Sequence, residues 1–100
     1  MVISGTELKQ VTAQNVNVTE DSLAVDLADG RTITVPLAWF PRLEHGTATE
    51  RDHWRFIGNG VGIHWPELDE DISTASLLAG HGSGESQASL KRWLEQRAAR

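Results

Sequence analysis

The chain has 100 residues, of which 39% are hydrophobic and 23% charged, and this balance predicts one globular domain rather than a disordered protein. It has no cysteine, which excludes disulfide frameworks, thiol catalysis and thiolate metal sites. The formal net charge is −5, which argues against nonspecific nucleic-acid binding because that binding needs cations against phosphate.

Residues 1–10, MVISGTELKQ, indicate a flexible or loosely attached entry. They lack the basic start and apolar stretch of a secretory signal. No apolar run in the chain approaches the ~20 residues that cross a bilayer. The sequence therefore predicts a cytoplasmic protein.

Three antiparallel strands are predicted for residues 11–36. Apolar residues alternate along Leu23–Leu27 and again along Arg31–Val35, and the Asp-Gly pair at 29–30 between them is a strong hairpin signal. Pro36 ends the last strand because it cannot donate to the ladder. We expect a three-stranded meander.

A helix and a second hairpin are predicted next. Thr47 and Glu50 have the spacing of a capping box, which predicts a helix from Thr47 to about Trp54. Asn59-Gly60 is a second turn signal, and it indicates a short hairpin within the following apolar residues.

Two helices are predicted at the C-terminal end. Ser73 can cap a short helix that runs to about Ala79, with Gly80 in the left-handed position after it. Residues 81–86 form a predicted flexible linker, and residues 87–100 a predicted amphipathic helix. Because such a linker permits exchange of this helix between subunits, a homodimer is one assembly that the sequence allows.

These elements predict an α+β fold: a small antiparallel β-meander, a central helix, a second short hairpin and two C-terminal helices, with residues 1–80 as the domain. Charge is unevenly spread over it. Residues 90–100 have four cations against Glu95, a net of +3, so the other 89 residues carry −8. An acidic body and a basic tail can each steer a partner of opposite charge.

The sharpest candidate for chemistry is His64 with the acidic run Asp69-Glu70-Asp71. Carboxylates beside an imidazole can bind a divalent metal or share a proton. The interpretation we favour is that the three acids precede a helix and complement its macrodipole. The first interpretation gives our second hypothesis, a small-molecule or divalent-metal-binding domain, or an enzyme, centred on His64, Asp69 and Asp71. It predicts that these side chains converge in a concave pocket.

Other catalytic or cofactor signals are weak. The central histidines lack the i, i+4 spacing of a helical zinc motif, and the glycines between Phe56 and Ile63 fit neither nucleotide motif. No serine has the context of a nucleophile elbow. We therefore predict no catalytic residue, no metal site and no cofactor, and we expect the protein not to be an enzyme.

The tryptophans have two interpretations each. Trp39, Trp54 and Trp65 fit packing in the core better than a ligand platform. Trp93 has basic neighbours on the terminal helix and is a candidate anchor for another protein, although docking of that helix on its own domain is slightly favoured.

Four motifs carry a family resemblance: Asp29-Gly30-Arg31, PLAWFPRL at 36–43, GIHWP at 62–66 and LDEDIS at 68–73. In these motifs the chain resembles a bacterial family catalogued as Domain of Unknown Function 2442, over about residues 11–80. The resemblance implies a small α+β protein of bacteria or their phages, without an established activity. Members often stand beside a second small family in an arrangement like a toxin–antitoxin pair, in which this family resembles the antitoxin.

Some relatives have a helix-turn-helix segment after the domain. The single terminal helix here is not enough to form such a DNA-binding segment, so we do not expect direct binding to nucleic acid. The leading hypothesis is a non-enzymatic interaction module that neutralises a small toxin encoded nearby, because an acidic body suits a basic partner. The predicted partner-binding residues are Trp39, Arg42, His64, Trp65, Asp69, Glu70, Asp71 and Trp93.

Overall fold

The computed structural model describes residues 11–99, so the predicted loose entry at residues 1–10 lies outside the described part. Two three-stranded antiparallel sheets and short helices make up this part, which confirms the predicted α+β class. None of its helices has the length and apolar composition that a bilayer crossing requires.

The first sheet is the predicted meander. Its strands are β1 (Ala13–Val18), β2 (Ser22–Leu27) and β3 (Thr32–Pro36), in the order β1-β2-β3. At the turn between β2 and β3, Gly30 has a φ of +95°, a left-handed conformation that glycine adopts without strain. Along β2, Leu23, Val25 and Leu27 are all buried, so the alternation in the sequence faces the core as predicted.

Two short helices connect the sheets. A 3₁₀ turn leads into α1 (Pro41–Glu44), which the sequence analysis did not predict although proline is common at a first helical position. The capping box at the start of α2 (Ala48–Asp52) is confirmed. The Glu50 N–H donates to Oγ1 of Thr47 over 3.1 Å, and the Thr47 N–H donates to Oε1 of Glu50 over 2.9 Å.

The second sheet contains the predicted hairpin and one strand more. Its strands are β4 (Arg55–Ile57), β5 (Gly62–Trp65) and β6 (Glu70–Ser73), in the order β4-β5-β6. Our interpretation of the acidic run as the approach to a helix was therefore incomplete, since Glu70 and Asp71 are strand residues.

Two helices follow the second sheet, as predicted: α3 (Thr74–Leu78) and α4 (Gln87–Ala98). The hydroxyl of Ser73 caps α3 by accepting the Ser76 N–H over 3.0 Å, and Gly80 is left-handed with a φ of +76°. The mobility of the linker stays a prediction. In the structure this linker contacts the domain, because the Ser83 N–H donates to the Trp39 carbonyl over 2.8 Å.

A single hydrophobic core joins the two sheets. Trp65 of β5 is its largest fully buried side chain, and it packs with Leu23, Leu43 and Leu68 among others. Its indole N–H donates to the backbone carbonyl of Arg51 over 3.0 Å, so this buried polar group has a partner.

Candidate functional site

Arg42, on α1, joins three segments of the chain. Its Nε donates to both carboxylate oxygens of Glu85, over 3.0 and 2.9 Å, and its Nη1 donates to the backbone carbonyl of Asp69 over 3.2 Å. The side chain is only 16% exposed. These bonds tie α1 to the β5–β6 turn and to the segment before α4.

A polar cavity of about 350 Å³ opens beside this guanidinium. It is lined by Arg42, Asp69, Glu70, Ser83, Gly84, Glu85 and Ser89. One guanidinium therefore faces three carboxyl groups, those of Asp69, Glu70 and Glu85. The β5–β6 turn, the start of β6 and the segment before α4 bring these groups together.

The carboxyl groups of this cavity differ in environment. Glu70 lies opposite Trp65 in the β5–β6 pairing, on the inward side of the sheet, and burial raises its pKa from 4.5 to about 7 against the attraction of Arg42. Hydrogen bonds from Arg42 instead hold the pKa of Glu85 below its ordinary value, despite partial burial. The Ser89 hydroxyl also donates to Glu85, over 2.8 Å.

The outward side of the second sheet has a different set of polar groups. Arg55, His64 and Asp71 lie opposite one another across β4, β5 and β6. Nδ1 of His64 is hydrogen-bonded to the carboxylate of Asp71, while Asp69 lies in the turn against Arg42. Within residues 11–99, no group of three histidine or carboxylate side chains is arranged to hold a metal ion. His64 and Asp71 therefore meet on the outward side of the sheet, while Asp69 contacts Arg42, and the small-molecule pocket of the second hypothesis stays a prediction.

Three residues of the predicted partner-binding set are exposed: Trp39, Asp69 and Asp71. The Trp39 residue is 39% exposed, and Gly82 lies close to its backbone carbonyl and Cβ. The Asp69 side chain is 86% exposed, and that of Asp71 is 68% exposed. The guanidinium of Arg42 is therefore largely covered, while the Asp69 carboxylate next to it and the Asp71 carboxylate bonded to His64 stay exposed.

The other two tryptophans of the predicted partner-binding set are inside the protein. Trp65 is fully buried in the core, and Trp93 is 7% exposed. The Trp93 ring lies between the guanidinium of Arg42, 5.1 Å from its centroid, and that of Arg97, at 4.7 Å. Such contacts are cation–π interactions. The one from Arg42 docks α4 on its own domain, whereas the one from Arg97 lies within α4. A role of either ring in partner binding stays a prediction.

Several residues of this site escaped the sequence analysis. Glu85 is the main one, because it lies in a stretch that reads as linker, where a lone acid among glycine and serine was the available signal. Glu50 was assigned only to the capping box. It also accepts from Arg97 of α4 over 2.8 Å, and this bond is the main reason why its pKa is lowered from 4.5 to about 2.

Known structures of two bacterial proteins resemble this one. A protein of unknown function from Rhodospirillum rubrum is 27% identical, with a TM-score of 0.65 over 80% of this chain and 96% of its own. An uncharacterized protein from Chromobacterium violaceum is 24% identical, with a TM-score of 0.63 over 77% of this chain and 73% of its own. No curated protein matches the chain. The family described as Protein of unknown function (DUF2442) matches residues 13–83, which is most of the chain, and the protein belongs to this family.

Proposed function

We propose that this protein is a non-enzymatic interaction module that captures a small basic protein, as an antitoxin captures its toxin. One observation carries the proposal: the carboxylates of Asp69 and Asp71 and the Trp39 residue are exposed, while the cation next to Asp69, Arg42, is held by Glu85. The free charge of this surface is therefore acidic although a cation lies at its centre.

The chemistry of such a surface suits a basic macromolecule. Exposed carboxylates steer an oppositely charged partner and speed its association. A tryptophan supplies a large apolar contact at low entropic cost, which is why this residue is enriched among interface hot spots. We name Trp39, Asp69 and Asp71 the acidic docking surface.

The environment of His64 favours binding over catalysis. The imidazole and Asp71 lie on the outward side of a three-stranded sheet, with Arg55 across the strands. Acid–base chemistry is helped by a site that excludes water, and the Asp71 carboxylate beside this imidazole is 68% exposed. The antitoxin role has one further support, which is the operon arrangement that the family resemblance implies. The partner would be met in the cytoplasm.

The test is affinity capture from the native host with the full chain tagged. We expect one small basic protein, in 1:1 stoichiometry, which is released as salt is raised because exposed charges are screened within about 10 Å at 0.1 M salt. Recovery of no stoichiometric partner, or of a partner that is acidic, would contradict the proposal.

Matched variants locate the contact. The double variant Asp69→Asn with Asp71→Asn should lower the affinity at least tenfold, mainly through slower association. A control, Glu20→Gln with Asp21→Asn, removes the same charge from exposed positions in the turn between β1 and β2. The control should retain nearly full affinity. An equal loss in both variants would show that only net charge matters, and it would refute a localised docking surface.

A further inference from the structure

An apolar groove runs along the outer side of α4. Its volume is about 460 Å³, and its lining residues all belong to this one helix: Gln87, Leu90, Lys91, Leu94, Glu95 and Ala98. Leu90 and Leu94 are its two leucines, and both are partly buried because they also pack against the core. No other element of residues 11–99 lines this groove.

The other side of α4 is engaged with the domain. Trp93 contacts the guanidinium of Arg42, Arg97 is paired with Glu50, and Ser89 donates to Glu85. At 100° per residue, the centre of these three side chains is about 130° around the helix from the centre of the groove, although Arg97 borders Leu90. A partner can therefore occupy the groove while α4 stays docked.

The groove is complementary to itself. Lys91 and Glu95 are one turn apart on the same flank of the two leucines. If two α4 helices pack antiparallel around a two-fold axis at the level of Trp93, Lys91 of one copy meets Glu95 of the other, and the reverse contact forms too. In the same arrangement, Leu90 and Leu94 of both copies meet at the centre.

We propose that two copies of this protein associate through an antiparallel pair of α4 helices, with the leucines at the centre and two symmetric Lys91–Glu95 pairs on one flank. The charge pattern favours a second copy of this protein as the partner, because Lys91 and Glu95 of one groove are complementary to Glu95 and Lys91 of another. A two-fold contact also closes on itself, since the same surface is used on both subunits.

The length of α4 sets the strength of this contact. A helix of 12 residues is about 18 Å long, so the paired helices alone bury less than the ~1,200 Å² of a standard stable interface. We expect a weak, reversible dimer with a dissociation constant of about 100 μM. The inference is independent of the acidic docking surface, and its test uses the purified chain alone.

The test is sedimentation equilibrium of the full chain between about 10 μM and 1 mM, with charge-exchange variants. The variants Lys91→Glu and Glu95→Lys each place like charges opposite each other twice, and each should weaken the dimer at least fivefold. A mixture of these two single variants should associate again, because each then offers the charge that the other lacks. The double variant should also recover dimerisation.

Arg92→Glu is the matched control, since Arg92 is exposed and lies on the opposite side of α4 from the groove. It should dimerise like the wild type. Circular dichroism verifies that all variants keep their helices. A wild type that stays monomeric at 1 mM would overturn the proposal. So would single variants that dimerise like the wild type, or a mixture that does not associate.

Discussion

Replacing Glu70 by Gln is predicted to stabilise the protein at neutral and alkaline pH. Burial beside Trp65 raises the pKa of Glu70 from 4.5 to about 7, so the folded state holds this proton more tightly than the unfolded chain does. The ionised carboxylate therefore costs stability. The cost is absent below about pH 4.5, grows as the pH rises to about 7, and is constant above that.

The size of this cost follows from the two pKa values. A pKa raised from 4.5 to about 7 corresponds to about 3 kcal/mol, and this figure is an upper limit because Glu70 lies at a cavity open to solvent. We expect Glu70→Gln to raise the free energy of unfolding by about 1–3 kcal/mol at pH 8 and by less than about 0.5 kcal/mol at pH 4.

Urea unfolding at pH 4, 6 and 8 measures the effect, and Asp69→Asn serves as the control. Asp69 is the neighbouring acid and also contacts Arg42, but its side chain is 86% exposed. Removing that charge should change the free energy of unfolding by less than about 1 kcal/mol at each pH. The reasoning fails if Glu70→Gln destabilises the protein at pH 8, or if its effect is the same at all three pH values.

Two further predictions concern acid stability and a tight turn. The lowered pKa of Glu50, about 2, means that its pairing with Arg97 stabilises the fold above about pH 4.5 and is lost as the pH falls toward 2. Glu50→Gln should therefore cost about 1–2 kcal/mol at pH 7, and the difference from wild type in urea unfolding should shrink at pH 2; a constant difference would contradict the ion pair. Gly60→Ala should cost at least about 2 kcal/mol in thermal unfolding, because its φ is +100° and an added Cβ would lie 2.6 Å from the Ala13 carbonyl. Gly84→Ala, which meets nothing within 4 Å, is its control and should cost less than about 1 kcal/mol.

The parts of the fold that are encoded locally could be predicted from the sequence. The alternation of β2 and β3 around an Asp-Gly turn, and the capping box at Thr47, depend only on neighbouring residues. Strand β6 was missed because its pattern is interrupted by charge. Glu70 and Ile72 both point inward, and a carboxylate at an inward position hides the alternation that marks a strand.

The candidate site could be predicted only in part. The acidic run and Arg42 were identified from sequence, because such residues stand out in a compact, motif-rich segment. Their arrangement was not, since Arg42 and Glu85 are 43 positions apart and Glu50 and Arg97 are 47 apart. Contacts at such separations depend on the packed fold. No local pattern in the chain encodes them.

The most direct test of the proposed function is amide hydrogen exchange of the protein alone and in complex with the captured partner. We predict that binding protects the peptides that cover Trp39 and the Asp69–Asp71 run, and leaves the β1–β2 turn unchanged. Protection confined to the first sheet, with exchange around Asp69 unaltered, would contradict the account.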